Sequence, residues 1–126
     1  MNRTWKVLVG CLVLALLVAG IPYPLAAQTD FSQLSGIVRD STGAVIPGAQ
    51  VIVRNEATAL ERRAVTNASG YYVAPNIPPG NYSITVEAPG FKRFVTTGRK
   101  VDASISATQD VELQVGEVSE TVEVEA

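Results

Sequence analysis

"TNASGYYVAPNIPPGNYSITVEAPGF", Thr66 to Phe91, decides the fold. Its second half alternates: Tyr82, Ile84, Val86 and Ala88 are apolar, and Ser83, Thr85 and Glu87 between them are polar or charged. Successive side chains leave a strand on opposite faces, so a period of two marks a half-buried antiparallel strand. Tyr71 and Tyr72 must therefore point apart. Tyr72 shares its face with Ala74 and is expected inside, with Tyr71 outside. Asn67-Ala68-Ser69-Gly70, Pro78-Pro79-Gly80 and Pro89-Gly90 break the stretch into segments. Glycine supplies positive φ and proline pre-sets φ, so these are turns with a mechanism. Phe91 is expected to tuck back under the Tyr82 strand. The stretch reads as folding grammar rather than as a dedicated ligand loop.

The same period continues outward. Val51 and Val53 alternate with Gln50, Ile52 and Arg54; Val111, Leu113 and Val115 alternate with Glu112 and Gln114. Val118, Val122 and Val124 alternate with Ser119, Thr121 and Glu123. Asp40-Ser41-Thr42-Gly43 and Pro47-Gly48 add two more turns. After Ala27 no stretch carries a convincing helical stripe. Strands are expected near 33–39, 49–55, 61–66, 71–75, 81–88, 92–97 and 103–115, with a last extended piece at 118–125. Short strands with turns at this spacing predict an all-β, seven-stranded antiparallel Greek-key sandwich.

The first 27 residues read differently. Arg3 and Lys6 precede an apolar run from Val7 to Ile21; Pro22 and Pro24 break it, and Leu25-Ala26-Ala27 offers small residues to a peptidase. This is the plan of a secretory signal cleaved after Ala27. The run covers 15 residues, short of the ~20 that span a bilayer. Leu8-Val9-Gly10-Cys11 has the look of a lipobox, but too few apolar residues precede it, so Cys11 reads as part of the signal core. Residues 28–32 are then a short linker, 33–115 the sandwich and 116–126 an acidic tail. The mature chain would have no cysteine and no transmembrane helix, and its core alone would hold it together.

Composition narrows the function. Without Arg3 and Lys6 the chain keeps eight bases against 12 acids, a net charge of −4. Six acids and no base lie between Asp110 and Ala126. Nucleic acid is an unsuitable partner for such a surface. The sequence has no histidine and, past the signal, no thiol. The usual general base, zinc ligands and thiolate nucleophile are therefore missing. No catalytic, cofactor or metal site is expected. Asp40 and Asp102 lack the ligand spacing that calcium needs.

Gly36-Ile37-Val38-Arg39-Asp40 with Gly43, Ile46-Pro47-Gly48-Ala49, Gly70-Tyr71-Tyr72, Pro78-Pro79-Gly80-Asn81-Tyr82 and Gly90-Phe91 stand in a definite order. Together they resemble the carboxypeptidase regulatory-like domain, a transthyretin-like sandwich, over about Gln33 to Val115. That resemblance implies the non-catalytic module appended to metallocarboxypeptidases, not the peptidase. It also implies an arrangement of signal, then domain, as in Oar-like TonB-dependent outer-membrane receptors. The tail fits this: "ETVEVEA", Glu120 to Ala126, resembles a TonB box, an extended segment that adds as a strand to the periplasmic energy-transducing protein. Glu123 and Glu125 depart from the usual uncharged residues. On the resemblance, Glu120, Thr121, Val122, Val124 and Ala126 would contact that partner or the receptor's plug and barrel. A final edge strand of the sandwich fits the alternation equally well. The expected location is the periplasm or the outer membrane.

The main rival is a stand-alone carbohydrate-binding-like module. It would stack a glycan on an exposed aromatic face. Tyr71 is the first candidate, with Phe94 and Phe31 behind it; Trp5 leaves with the signal. An adhesin-type Lys-Asn crosslink is not expected, because Lys92 and Lys100 stand beside arginines in polar stretches. Asn67-Ala68-Ser69 and Asn81-Tyr82-Ser83 are sequons by pattern and turn residues by reading. Arg62-Arg63, Lys92-Arg93 and Arg99-Lys100 each split across the two faces of a strand.

Overall fold

The computed structural model describes residues 3–18, 30–117 and 119–126. An N-terminal helix, α1 (Arg3–Val18), is followed by β1 (Ser32–Asp40), β2 (Gln50–Asn55), β3 (Glu61–Val65), β4 (Tyr71–Ile77) and β5 (Gly80–Glu87). Then come β6 (Arg93–Val101), β7 (Ser106–Thr108), β8 (Val111–Leu113) and β9 (Thr121–Glu125). No described helix is long and apolar enough to cross a membrane. Two sheets form. The first has β1 between β4 on one side and β7 and β8 on the other; the second runs β3-β2-β5-β6-β9.

The expected alternation sorts the core. Val51 and Val53 of β2, Tyr82, Ile84 and Val86 of β5, and Tyr72 and Ala74 of β4 are buried. Leu34 and Val38 of β1 complete the inner faces from the first sheet. Burial of this surface drives the fold at about 25 cal/mol per Å². Tyr71 faces out, and Phe91 packs partly buried against the core, both as expected.

The turns close as their residues demand. Asn67 Oδ1 accepts the Ser69 and Tyr71 N–H groups (2.9 and 3.1 Å), and Gly70 follows at φ 72°. A Cβ at Gly70 would lie 2.8 Å from Val45 Cβ and 2.9 Å from the Val38 carbonyl. Glycine is thus required there by both backbone angle and space. At the next corner the Tyr82 hydroxyl donates to the Pro78 carbonyl. The buried Thr66 hydroxyl donates to the Ile46 carbonyl (2.6 Å) and accepts the Ala49 N–H (2.8 Å).

The all-β sandwich forms, with differences in detail. The single strand expected over 103–115 is split into β7 and β8, and both pair parallel with β1. β6 and β9 are also parallel, so the sheets are mixed rather than antiparallel throughout. The cause is long-range: after β6 the chain crosses to the first sheet and runs alongside β1 in the same direction. The split falls at Gln109-Asp110. There the Gln109 N–H donates to the Ser35 carbonyl (2.8 Å), and Asp110 Oδ1 accepts the Ile37 N–H (2.9 Å). A side-chain oxygen takes over where the backbone ladder lapses. Val115, expected inside, is 74% exposed because the chain leaves β1 after Leu113 and crosses to Phe91. Phe94, a candidate exposed aromatic, is buried, since its register partner on β5 is the inward-facing Val86.

Candidate functional site

The acidic tail is where the chain leaves one sheet for the other. Past β8 the Gln114 carbonyl accepts the Lys92 N–H (2.7 Å), Val115 bridges Phe91, and the Gly116 N–H donates to the Gly90 carbonyl (3.1 Å). A short turn closes with the Glu120 N–H on the Glu117 carbonyl (2.9 Å). The chain is then laid along β6, whose outer edge is open at that point.

β9 fills that edge in parallel register, Thr121 opposite Arg93 through Glu125 opposite Thr97. The Arg93 N–H donates to the Glu120 carbonyl (2.8 Å), and the Ala126 N–H donates to the Thr97 carbonyl (3.0 Å). In a parallel ladder the bonds to one neighbour come from alternate residues. The amides of Val122, Val124 and Ala126 therefore face β6. Those of Thr121, Glu123 and Glu125 face the free edge. Lys92 Nζ pairs with Glu120 at 3.2 Å where the strand begins.

Of the five residues expected to contact a partner, Thr121, Val122 and Val124 lie on this edge strand, and Glu120 and Ala126 flank it. Of the two uses that alternation allowed, the structure displays the edge strand. Its hold is light. Val122 is half-buried opposite Phe94, Val124 is 43% exposed opposite Thr96, and Thr121, Glu123 and Glu125 are exposed. Val118, where the last extended piece was expected to start, and Ala27, the expected cleavage point, lie outside the described residues.

A concavity of about 490 Å³ opens on the first sheet, lined by Ile37, Arg39, Asp40, Thr42, Asp110 and Glu112. Its two aspartates are committed to the fold. Asp40 Oδ1 accepts the Thr42 hydroxyl (2.6 Å) and the Thr42 and Ala44 N–H groups (2.9 and 3.1 Å). The Thr42 hydroxyl, ahead of the backbone donors, holds the Asp40 carboxyl below its ordinary value. Asp110 supports β1. Among the described residues no group of three or more His, Cys, Asp or Glu could hold a metal. Tyr71 lies on this sheet opposite Ile37 and keeps 38% of its surface exposed, and Phe31 keeps 48%. With Phe94 buried, these two remain of the three sugar-stacking candidates. Lys92 and Lys100 pair with Glu120 and Asp102 at the surface, so neither sits in the core as a crosslinking lysine would.

A family model for the carboxypeptidase regulatory-like domain matches residues 33–119. The chain belongs to this family. The regulatory-like domain is also 32% identical over 108 residues to the TonB-dependent transporter Oar of Myxococcus xanthus. That match takes in 84% of this chain and 10% of the relative, so the chain spans about a tenth of that protein's length. Solved structures share the sandwich. The Bacillus anthracis TIE protein aligns with a TM-score of 0.58 at 21% identity, over 68% of this chain and 17% of that one. A Bacteroides uniformis protein provisionally described as carbohydrate binding aligns at 0.55 and 18% identity, over 68% and 42%. Catechol 1,2-dioxygenase from an Acinetobacter species aligns at 0.57 and 12% identity, over 82% and 60%. At such identities the likeness is one of fold, and the dioxygenase chemistry does not follow from it.

Proposed function

We propose that this regulatory-like domain is an exported, non-catalytic accessory domain of a TonB-dependent outer-membrane receptor, working through protein–protein contact. The observation that carries the proposal is the 32% identity to a TonB-dependent transporter, over a region that is a tenth of that protein. In this reading residues 1–27 are a signal removed after Ala27, 28–32 link to the sandwich of 33–115, and 116–126 lead toward a plug and barrel. The domain would reside in the periplasm against the outer membrane.

Glu120, Thr121, Val122, Val124 and Ala126 would meet the periplasmic energy-transducing protein by strand addition. Backbone pairing supplies most of the affinity in such contacts, and alternate side chains supply the selectivity. An exposed, acidic edge strand with no buried side chain suits that use. Of its three named candidates, the carbohydrate-binding alternative keeps Tyr71 and Phe31 as stacking surfaces.

The test uses a synthetic Thr108–Ala126 peptide and the purified periplasmic domain of the energy transducer. Backbone amide signals along one edge strand of that domain are expected to shift. A spectrum unchanged by excess peptide sinks the strand-addition reading.

A further inference from the structure

We infer that β9 receives its partner while still docked on β6, so that the partner strand joins the second sheet as its sixth member. The inference rests on the strand-addition reading above and adds how that strand is presented. A strand has two edges, and β9 uses one. The amides of Val122, Val124 and Ala126 are directed at β6, and the strand is anchored by the hydrogen bonds at Arg93 and Thr97. Those of Thr121, Glu123 and Glu125 are directed outward and meet no strand among the described residues. An edge strand of this kind is a template for another chain.

Its side chains state what the partner strand must carry. Neighbours in register share a face. Val122 and Val124 stand in line with the buried Phe94 and Thr96, on the side that continues the core, and Val124 keeps 43% of its surface open. Glu123 and Glu125 stand in line with Val95 and Thr97 on the outer face. Glu120 already has Lys92, whereas Glu123 and Glu125 make no ion pair among the described residues. The matching strand is therefore apolar on the side that covers the valines and basic on the side that meets the glutamates.

Staying docked also avoids a cost. If β9 left, the β6 amides of Arg93, Val95 and Thr97 would lose their partners, and the flank of Phe94 and Thr96 would be uncovered. Pairing on the free edge leaves those contacts in place.

The experiment locks β9 in position. Thr97 and Glu125 are register partners at the far end of the ladder, and neighbouring strands lie about 5 Å apart, within disulfide reach. The full chain carrying Thr97→Cys and Glu125→Cys in a Cys11→Ser background is titrated with the energy transducer's periplasmic domain, oxidised and reduced. The same variant in two redox states keeps the lost charge constant. Equal dissociation constants, within about twofold, are expected. A loss of about tenfold or more on oxidation, with the reduced form binding, means β9 must leave β6 and overturns the inference while the strand-addition reading stands. Binding by the free Thr108–Ala126 peptide but by neither form of the chain overturns it in the same way. No binding by chain or peptide removes both. A second variant, Glu123→Pro, deletes a free-edge N–H and none that β6 uses; loss of binding with the fold intact is expected, and unchanged binding rejects the free edge as the contact.

Discussion

Gly36 and Tyr72 face each other inside the sandwich, and each is explained by one carbonyl. A Cβ at Gly36 would fall 2.0 Å from the Gln109 oxygen, which no rotation relieves. The Tyr72 hydroxyl donates to that same oxygen at 2.6 Å. The glycine lets the chain cross close over β1, and the tyrosine holds it there. Burial, with the Asp110 charge second, raises the Tyr72 phenol above its ordinary 10.0. A group whose folded value is raised adds stability that is full below the unfolded value and is lost as pH climbs above it. Tyr72→Phe should therefore cost about 1 kcal/mol at neutral pH from the lost hydrogen bond. It should cost less in alkali, because the phenylalanine has no proton to lose. Urea midpoints of the two proteins at pH 7 and at about pH 11 check this. The gap between them should narrow at the higher pH, and a constant gap would remove Tyr72 as the titrating group.

Strands declare themselves by alternation, but their neighbours do not. β2 and β5 were legible because Val51, Val53, Tyr82, Ile84 and Val86 fall on one face and stay there. β7 and β8 were not legible as two pieces. The break depends on Asp110 meeting the Ile37 amide, 73 residues away, and no local pattern encodes that. The candidate site was half legible. Glu120 to Ala126 could be found as an extended segment, yet its seat beside β6 was hidden. The Val-x-Val pattern fits any open edge, and the edge is supplied by residues 93–97. The seat makes its own prediction for amide exchange. The N–H groups of Val122, Val124 and Ala126 point at β6, and those of Thr121, Glu123 and Glu125 point at water. Protection should thus alternate along the strand, with all six exchanging faster than the buried amides of β2 and β5. Uniform exchange from Thr121 to Ala126 would show that β9 does not rest on β6.

At the scale of the molecule, the second sheet ends in opposite charges. β3 carries Arg62 and Arg63 at one end, and β9 carries Glu123 and Glu125 at the other. A sheet with a basic edge and an acidic edge could stack head to tail with copies of itself, and such contacts do not close. The β3 edge resists this locally. Arg62 pairs opposite Val53, whose side chain is wholly buried, so an arginine stands on the core side of an edge strand. A further strand arriving there would have to bury that cation, which is costly without a partner. Inward charges at an edge are a recognised guard against pairing between molecules. Arg62→Val with Arg63→Thr should keep the fold, since the substitutions suit a strand, and should remove the guard. Sedimentation at rising concentration is the check. The parent chain should remain a monomer at concentrations where the double variant forms dimers and larger species. A variant that stays monomeric across the same range would mean that the edge is protected by something other than its two arginines. The neighbouring β4, whose backbone lies close to β3, would then be the element to alter next.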